Sequence, residues 1–454
     1  FGSREAIVDA TAGVTLTFDD VLARSREVAR ALVAAGVAPG DRVAVWAPNG
    51  WEWVIAALGL QSAGAVLVPL NTRFKGAEAA WILGKSRARA LFVAGELLGV
   101  DYLAELRVAA GGEGASHPVH DLPDLLHAIV LGGVARSGAP SLAEFTARGT
   151  TSFTDETERR ALAVAPDDLS DLIFTSGTTG RPKGVMCSHG QTLRAFATWS
   201  EIAGLREGDR YLIVNPYFHS FGYKAGWLAC LLRGAVNLPE PVFDAARVLR
   251  RVAADRVTVL PGPPTLYQSL LDQPDRARFD LSSLRLAVTG AAVVPVELVR
   301  RMREDLGFAT VLTAYGLTEC TGVATMCRPG DAPEVIARTS GRAIPDTEVR
   351  LALLDGSEPP PGDPGEVWLR GYHVMRGYFD EPEETAKALT PDGWLRTGDI
   401  GVLDEARNLR ITDRLKDMYI VGGFKAYPAE IEQALAAHPA VARAAVVGVP
   451  DARL

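Results

Sequence analysis

Cysteine is scarce in this chain. Cys187, Cys230, Cys320 and Cys327 are its only four, and no two form a C-x-x-C pair. That spacing argues against a zinc ribbon or a disulfide framework and suits a reducing cytoplasm. No apolar run approaches the roughly 18 residues of a membrane span, so no integral membrane segment is expected. There is no long basic run, and the net charge is -8, so nucleic acid is not an expected partner. Internal repeats and low-complexity tracts are also missing. The first residue is Phe1 rather than methionine. Residues are therefore expected to precede it, and a leader would lie among them. What remains is an ordinary globular balance, 48% hydrophobic and 22% charged over 454 residues, enough for two or three domains and a large core.

Helical and strand patterns alternate from the start. Phe18, Leu22, Ser25, Ala29 and Leu32 fall on one helical face, Thr17 with Asp20 reads as a capping box, and Gly36 as a helix stop. "RVAVWA" (42–47) reads as a buried strand, "WEWVIAALGLQSAGA" (51–65) as a helix and "VLVPL" (66–70) as another strand. This βαβ rhythm predicts mainly parallel sheet covered by helices. Residues 105–166 read as surface connections ending in the linker "VAPDD". A second βα series follows, with strands expected at 171–176, 210–216, 257–262, 284–291 and 309–316 and helices between them. From about 346 short alternating strands punctuated by Gly and Pro predict a small antiparallel β subdomain. The expected organisation is α/β: a large N-terminal domain over 1–413, with the β subdomain at about 346–413. Residues 414–454 then begin a smaller α+β domain and leave it incomplete.

The run "TSGTTGRPKGV" (175–185) follows the apolar, β-rich "DLIFTS". It is therefore expected at the C-terminal end of a strand, where open α/β sheets bind ligands. Gly177, Gly180 and Gly184 let the backbone approach an anion. Thr175, Ser176, Thr178 and Thr179 add hydroxyl donors, and Lys183 adds a full positive charge. Together they suit a polyphosphate. The run is not a Walker-type loop, because Gly184 follows Lys183 where Ser or Thr would stand and Val185 comes next, and no G-x-G-x-x-G fingerprint is present. An isolated Gly/Ser/Thr turn with a solvated lysine would be the ordinary reading of a looser string.

The run resembles the phosphate loop of the adenylate-forming superfamily, which includes acyl- and aryl-CoA synthetases, firefly luciferase and peptide-synthetase adenylation domains. Further motifs stand in that family's order: "YFHSFG" (217–222), "TGAA" (289–292), "AYGLTE" (314–319), "WLRTGD" (394–399) and "DRLKDMYIVGGFKAYPAEIE" (413–432). The resemblance implies ATP, Mg²⁺ and coenzyme A as cofactors and a carboxylic acid as substrate. The acid attacks the α-phosphate, pyrophosphate leaves, and a thiol then displaces AMP. It implies catalytic roles for Lys183, His219, Thr318 and Glu319, with Glu319 as the metal ligand, a hard oxygen donor suited to Mg²⁺. Nucleotide would be held by Thr175, Ser176, Gly177, Thr178, Thr179 and Gly180. Gly290, Ala291 and Ala292 with Tyr315 and Gly316 would frame the adenine, and Asp399 with Arg414 would hold the ribose. Lys416 would be the hinge of a mobile C-terminal domain. Gly422 and Gly423 would lie beside the pantetheine. His219 matches a residue that borders the acyl pocket, and an orienting role is expected for it; His189 is expected to open a helix. Tyr223, Trp227, Leu317, Val323 and the 287–290 strand end are candidates for the acyl pocket, each able to be core instead.

Ile420 stands where aryl-type relatives often carry lysine, which points to alkyl-type acids. "FHSFGYKAGWLACLLRGA" (218–235) resembles bacterial ligases of propanoate side chains on partly degraded steroids. A medium- or long-chain or steroid-derived acid is expected. The family also carries an adenylation lysine near its C-terminus. Nothing after Lys425 supplies one, so the sequence as given is expected to bind ATP and acid but to adenylate poorly. The alternatives are an adenylation domain that loads a carrier protein, and a non-catalytic nucleotide or acyl binder. A homodimer is the assembly to test.

Overall fold

The computed structural model describes residues 1–111, 121–135, 138–149, 153–175, 181–290 and 294–415, together with 419–421, 424–426, 428, 431, 432, 435, 441 and 444–449. Two layered sheets carry the large body. In the first, strand order runs His127–Leu131, Ala88–Ala94, Arg42–Trp46, Val66–Pro69, Leu169–Thr175, Lys183–Ser188. All neighbours are parallel except the last pair. The second runs Val14–Thr17, Glu5–Asp9, Val236–Pro239, Arg210–Ile213. It continues through single bridges Tyr211↔Val259 and Val259↔Leu286 to Leu286–Gly290, Thr310–Tyr315, Thr325–Met326 and Arg342–Ala343. A third sheet of four antiparallel strands spans Thr347–Ala352, Gly365–Gly371, Leu395–Leu403 and Leu409–Arg414. The described residues after it include a short antiparallel pair, Tyr419–Val421 with Phe424–Ala426.

Local signals explain much of this. Helix Phe18–Ala34 begins at the Thr17–Asp20 capping box, with both reciprocal bonds made. It ends just before Gly36, whose φ of 81° is the left-handed turn a glycine adopts without strain. Its buried stripe is Val21, Ser25, Val28, Ala29 and Leu32, whereas Leu22, expected on that stripe, is exposed. The stripe is set by the neighbouring helix Trp51–Ser62 and lies one position round from the expected one. An aromatic cluster of Trp53, Tyr217, Tyr223 and Trp227 fills the space between the two large sheets, with Tyr223 stacked on Trp227 at 4.9 Å.

Three expectations need correction. Residues 105–166 are not only surface connections. His127–Leu131 is a buried parallel edge strand, and helices Leu142–Ala147 and Thr154–Ala163 follow it. The four apolar residues after His127 carry no periodicity, and pairing with the distant Ala88–Ala94 buries them. Residues 257–262 make bridges rather than a full strand, because Pro261 and Pro263 lack the donors a ladder needs. Lys183–Ser188 is not part of a strand-to-helix crossover. It turns back antiparallel on Leu169–Thr175 before helix His189–Ala203 opens at Ser188.

Candidate active site

The antiparallel pairing fixes the neck of the "TSGTTGRPKGV" run. Thr175 and Lys183 face each other as the last pair of the ladder, and Ser176, Gly177, Thr178, Thr179 and Gly180 lie outside the described residues. Lys183 is nearly buried, with 13% of its side chain exposed. Its ammonium forms an ion pair with Glu384 and sits 5.1 Å above the Tyr378 ring. Residues 376–379 are stitched along the outer edge of this strand: Arg376 N donates to Met186 O, Met186 N to Gly377 O and Phe379 N to Gly184 O, at 2.8–3.0 Å.

The same segment reaches the second sheet. Tyr378 Oη donates to Glu319 Oε1 at 2.9 Å, and Met375 N donates to the Glu319 carbonyl at 2.8 Å. Glu319 stands on the single turn Thr318–Cys320, just past strand Thr310–Tyr315. The crossing at Gly316 admits no side chain, since a Cβ there would lie 2.4 Å from Gly322 O. The neighbouring strand end is equally tight, for a Cβ at Gly290 would lie 2.6 Å from Ala314 O. Ala291 and Ala292 fall outside the described residues. Thr318 is buried beside Glu319.

Asp399 ties the third sheet to strand Thr310–Tyr315. It is 5% exposed and bonded through both oxygens: Tyr315 Oη donates to Oδ2 at 2.6 Å, and Arg414 Nε lies 3.1 Å from Oδ1. Asp399 and Arg414 are cross-strand partners in the third sheet. Burial, and then the adjacent Asp399 charge, push the Tyr315 hydroxyl well above its ordinary range, so it stays a donor. Lys416, Gly422 and Gly423 lie outside the described residues.

His219 caps a one-turn helix at the end of a loop that Asn49 holds in place. Asn49 Nδ2 donates to the carbonyls of Ile213 and Asn215, and its Oδ1 accepts from Tyr217 N. Asn49 lies on the other large sheet's first crossover, 168 residues away from Tyr217. His219 Nδ1 accepts from Phe221 N at 3.2 Å, which leaves the proton of the neutral ring on Nε2. The residue keeps open surface, but dense protein around the ring removes enough water to lower its pKa below the ordinary value. It is therefore a neutral donor at pH 7. Of the acyl-pocket candidates, Tyr223, Trp227 and Val323 are core, at 1%, 0% and 1% exposed, whereas Leu317 keeps some surface.

Tyr378, Glu384 and Asn49 were not legible as site residues. Tyr378 and Glu384 sit in "GYFDEPEET", which reads as punctuation between strands, and only its pairing to residues 184–186 carries them to Lys183. A second hidden feature is the Lys224–Asp171 ion pair at 2.9 Å, with neither side chain exposed. Burial alone would discharge Lys224, but Asp171 and the neighbouring Cys187 outweigh it and hold its pKa above normal. Among the described residues no group of three or more His, Cys, Asp and Glu could enclose a metal. A single carboxylate such as Glu319 fits a hard cation that keeps most of its water or takes its other ligands from a bound phosphate.

Residues 1–379 match the AMP-binding enzyme family, and residues 430–454 match the AMP-binding enzyme C-terminal domain. The chain is 51% identical over 455 residues to 3-[(3aS,4S,7aS)-7a-methyl-1,5-dioxo-octahydro-1H-inden-4-yl]propanoyl:CoA ligase of Rhodococcus jostii, covering 100% of this chain and 84% of that protein. It is 54% identical over 426 residues to the ligase of the same name from Mycobacterium tuberculosis, covering 94% and 79%. The fold overlays the anthranilate CoA ligase AuaEII bound to anthranoyl-AMP with a TM-score of 0.87 at 29% identity, covering 99% of this chain and 82% of that one. The chain belongs to the AMP-binding enzyme family and is an AMP-forming acid–thiol ligase that joins a carboxylic acid to coenzyme A at the expense of ATP.

Proposed function

We propose that this ligase activates the propanoate side chain of a partly degraded, bicyclic steroid remnant. The observation that carries the reading is the 51–54% identity, over almost the whole chain, to two ligases named for that acid. In this reading Lys183 and the 175–180 run receive the β- and γ-phosphates, Glu319 carries Mg²⁺, and Thr318 donates to a phosphate oxygen. Tyr315 lies against the adenine between Gly290 and Gly316, while Asp399 and Arg414 take the ribose hydroxyls. Mg²⁺ would neutralise charge that grows on the departing pyrophosphate. The chain's own contribution there is a preorganised cation, Lys183, in a nearly dry position.

His219, neutral and with its donor on Nε2, orients the acid's carboxylate rather than removing a proton. One carboxylate oxygen bonds to the α-phosphorus as the bond to pyrophosphate breaks. The thiolate of coenzyme A then bonds to the acyl carbon and AMP departs. Residues 1–413, with Arg414, hold the nucleotide, and the part that follows, hinged at Lys416, turns to bring Gly422 and Gly423 to the pantetheine. Four buried free thiols suit a reducing cytoplasm.

The test is thioester formation by the full-length protein with coenzyme A and ATP, offered the bicyclic propanoate, octanoate or benzoate. The bicyclic acid should give a kcat/KM at least about a hundredfold above the others, on the order of 3 kcal/mol of transition-state preference. Equal or better turnover of octanoate would overturn the substrate assignment and leave the ligase chemistry intact.

A further inference from the structure

Glu384 has no part in the chemistry just described, yet it occupies the charge of the residue that the chemistry needs. It sits in the short helix Pro382–Ala388 with Lys183 on one side and Lys387 on the other. Its Oε2 bonds the Lys183 ammonium, and its Oε1 accepts from Lys387 Nζ at 2.5 Å. The contact is not an incidental surface pair. The side chains of Lys183 and Glu384 are 13% and 18% exposed, and the residues are 201 positions apart in sequence. The two elements are held in register by the Phe379–Gly184 and Met186–Gly377 hydrogen bonds, so the pair is built by the fold.

We propose that Glu384 is an internal counter-ion that stands in for the nucleotide's phosphate on Lys183 and sets ATP affinity by competing for that cation. A carboxylate presents the same acceptor oxygens as a phosphate edge, at the same charged donor. Hydrogen bonds from Lys183 and Lys387 hold the Glu384 carboxyl down to about 2, so it is ionised at every working pH and the competition does not titrate away. Lys387 makes the exchange reversible. When Lys183 turns to phosphate, Glu384 keeps an ammonium partner and is not stranded. The apparent Kd for ATP then exceeds the intrinsic one by the inverse of the fraction of molecules in which Lys183 is released. A fraction of one in three to one in ten corresponds to about a threefold to tenfold weakening.

This rests on Lys183 being the phosphate ligand, and the test separates the two claims. ATP binding is measured by calorimetry, with Mg²⁺ and without acid so that no turnover occurs, for the parent, Glu384→Gln, Lys183→Met and the double variant. The expected result is about threefold to tenfold tighter binding for Glu384→Gln, weaker binding for Lys183→Met, and no gain from Glu384→Gln when Lys183 is already gone. If Lys183→Met leaves ATP affinity unchanged, the phosphate assignment of Lys183 is wrong and the competition falls with it. If Lys183→Met weakens binding but Glu384→Gln does not tighten it, the competition alone is overturned. The same holds if Glu384→Gln tightens binding equally with Lys183 absent, which would reduce its effect to general charge repulsion.

Discussion

His373 has a simple physical signature. It is fully buried, its Nε2 has no hydrogen-bond partner among the described residues, and burial lowers its pKa to about 4. In the unfolded chain it returns to about 6.5. Between those values the unfolded state holds a proton that the folded state refuses, so stability falls as pH drops through that window and is constant above it. The full change is about 3 kcal/mol, reached near pH 4. Urea unfolding midpoints at pH 7.5 and pH 5 should differ in that direction, and His373→Gln should remove most of the difference. An unchanged pH dependence in that variant would assign the acid sensitivity elsewhere. At this scale the sequence singled out residues whose types carry their own chemistry, and the structure brings several of them together. Asp399, Tyr315 and Arg414 converge as a triad of hydrogen bond and ion pair, and Lys183 and Glu319 are bridged by one tyrosine. It was silent on Tyr378 and Glu384, because a tyrosine and a glutamate in a proline-flanked turn have no pattern until a strand edge pairs with them.

Elements were legible where their period or their caps were strong. Helix Phe18–Ala34 and strands Arg42–Trp46 and Leu286–Gly290 follow from apolar spacing and end signals. The strand His127–Leu131 and the antiparallel return Lys183–Ser188 did not, since both depend on partners distant in sequence or on a turn whose type is not written in one residue. The π-helical segment Tyr223–Leu228 is buried at every residue. It carries Lys224 into the protein interior to meet Asp171 on the strand that leads to Thr175. Lys224→Met should leave the Asp171 charge buried without compensation and cost about 3–5 kcal/mol of unfolding free energy. Adding Asp171→Asn, which still accepts from Ser170 Oγ, should recover most of that loss. Denaturant titration of the single and double variants checks this. A double variant no more stable than Lys224→Met would mean that packing, not charge, is the cost.

At the scale of the molecule, the Tyr315–Asp399 bond ties the second sheet to the third, and Arg414 pairs with Asp399 just before Lys416. If the part beyond Lys416 turns between the two half-reactions, stiffening that position should separate them. Lys416→Pro in the full-length protein should leave ATP–pyrophosphate exchange within about threefold of the parent and slow thioester formation about tenfold or more, so that acyl-AMP accumulates in a single turnover. Equal loss in both assays would argue against a hinge there. The overall α/β organisation could be anticipated from alternating patterns. The meeting of the sheets could not, because it depends on contacts between positions distant in sequence, such as the three hydrogen bonds by which Asn49 reaches residues 213–217.

The backbone seam along residues 375–379 joins the Lys183 strand to the Glu319 turn through main-chain hydrogen bonds. Because peptide groups make these bonds, a change of side chain at Arg376 leaves them available, and the strand and the turn keep their mutual placement.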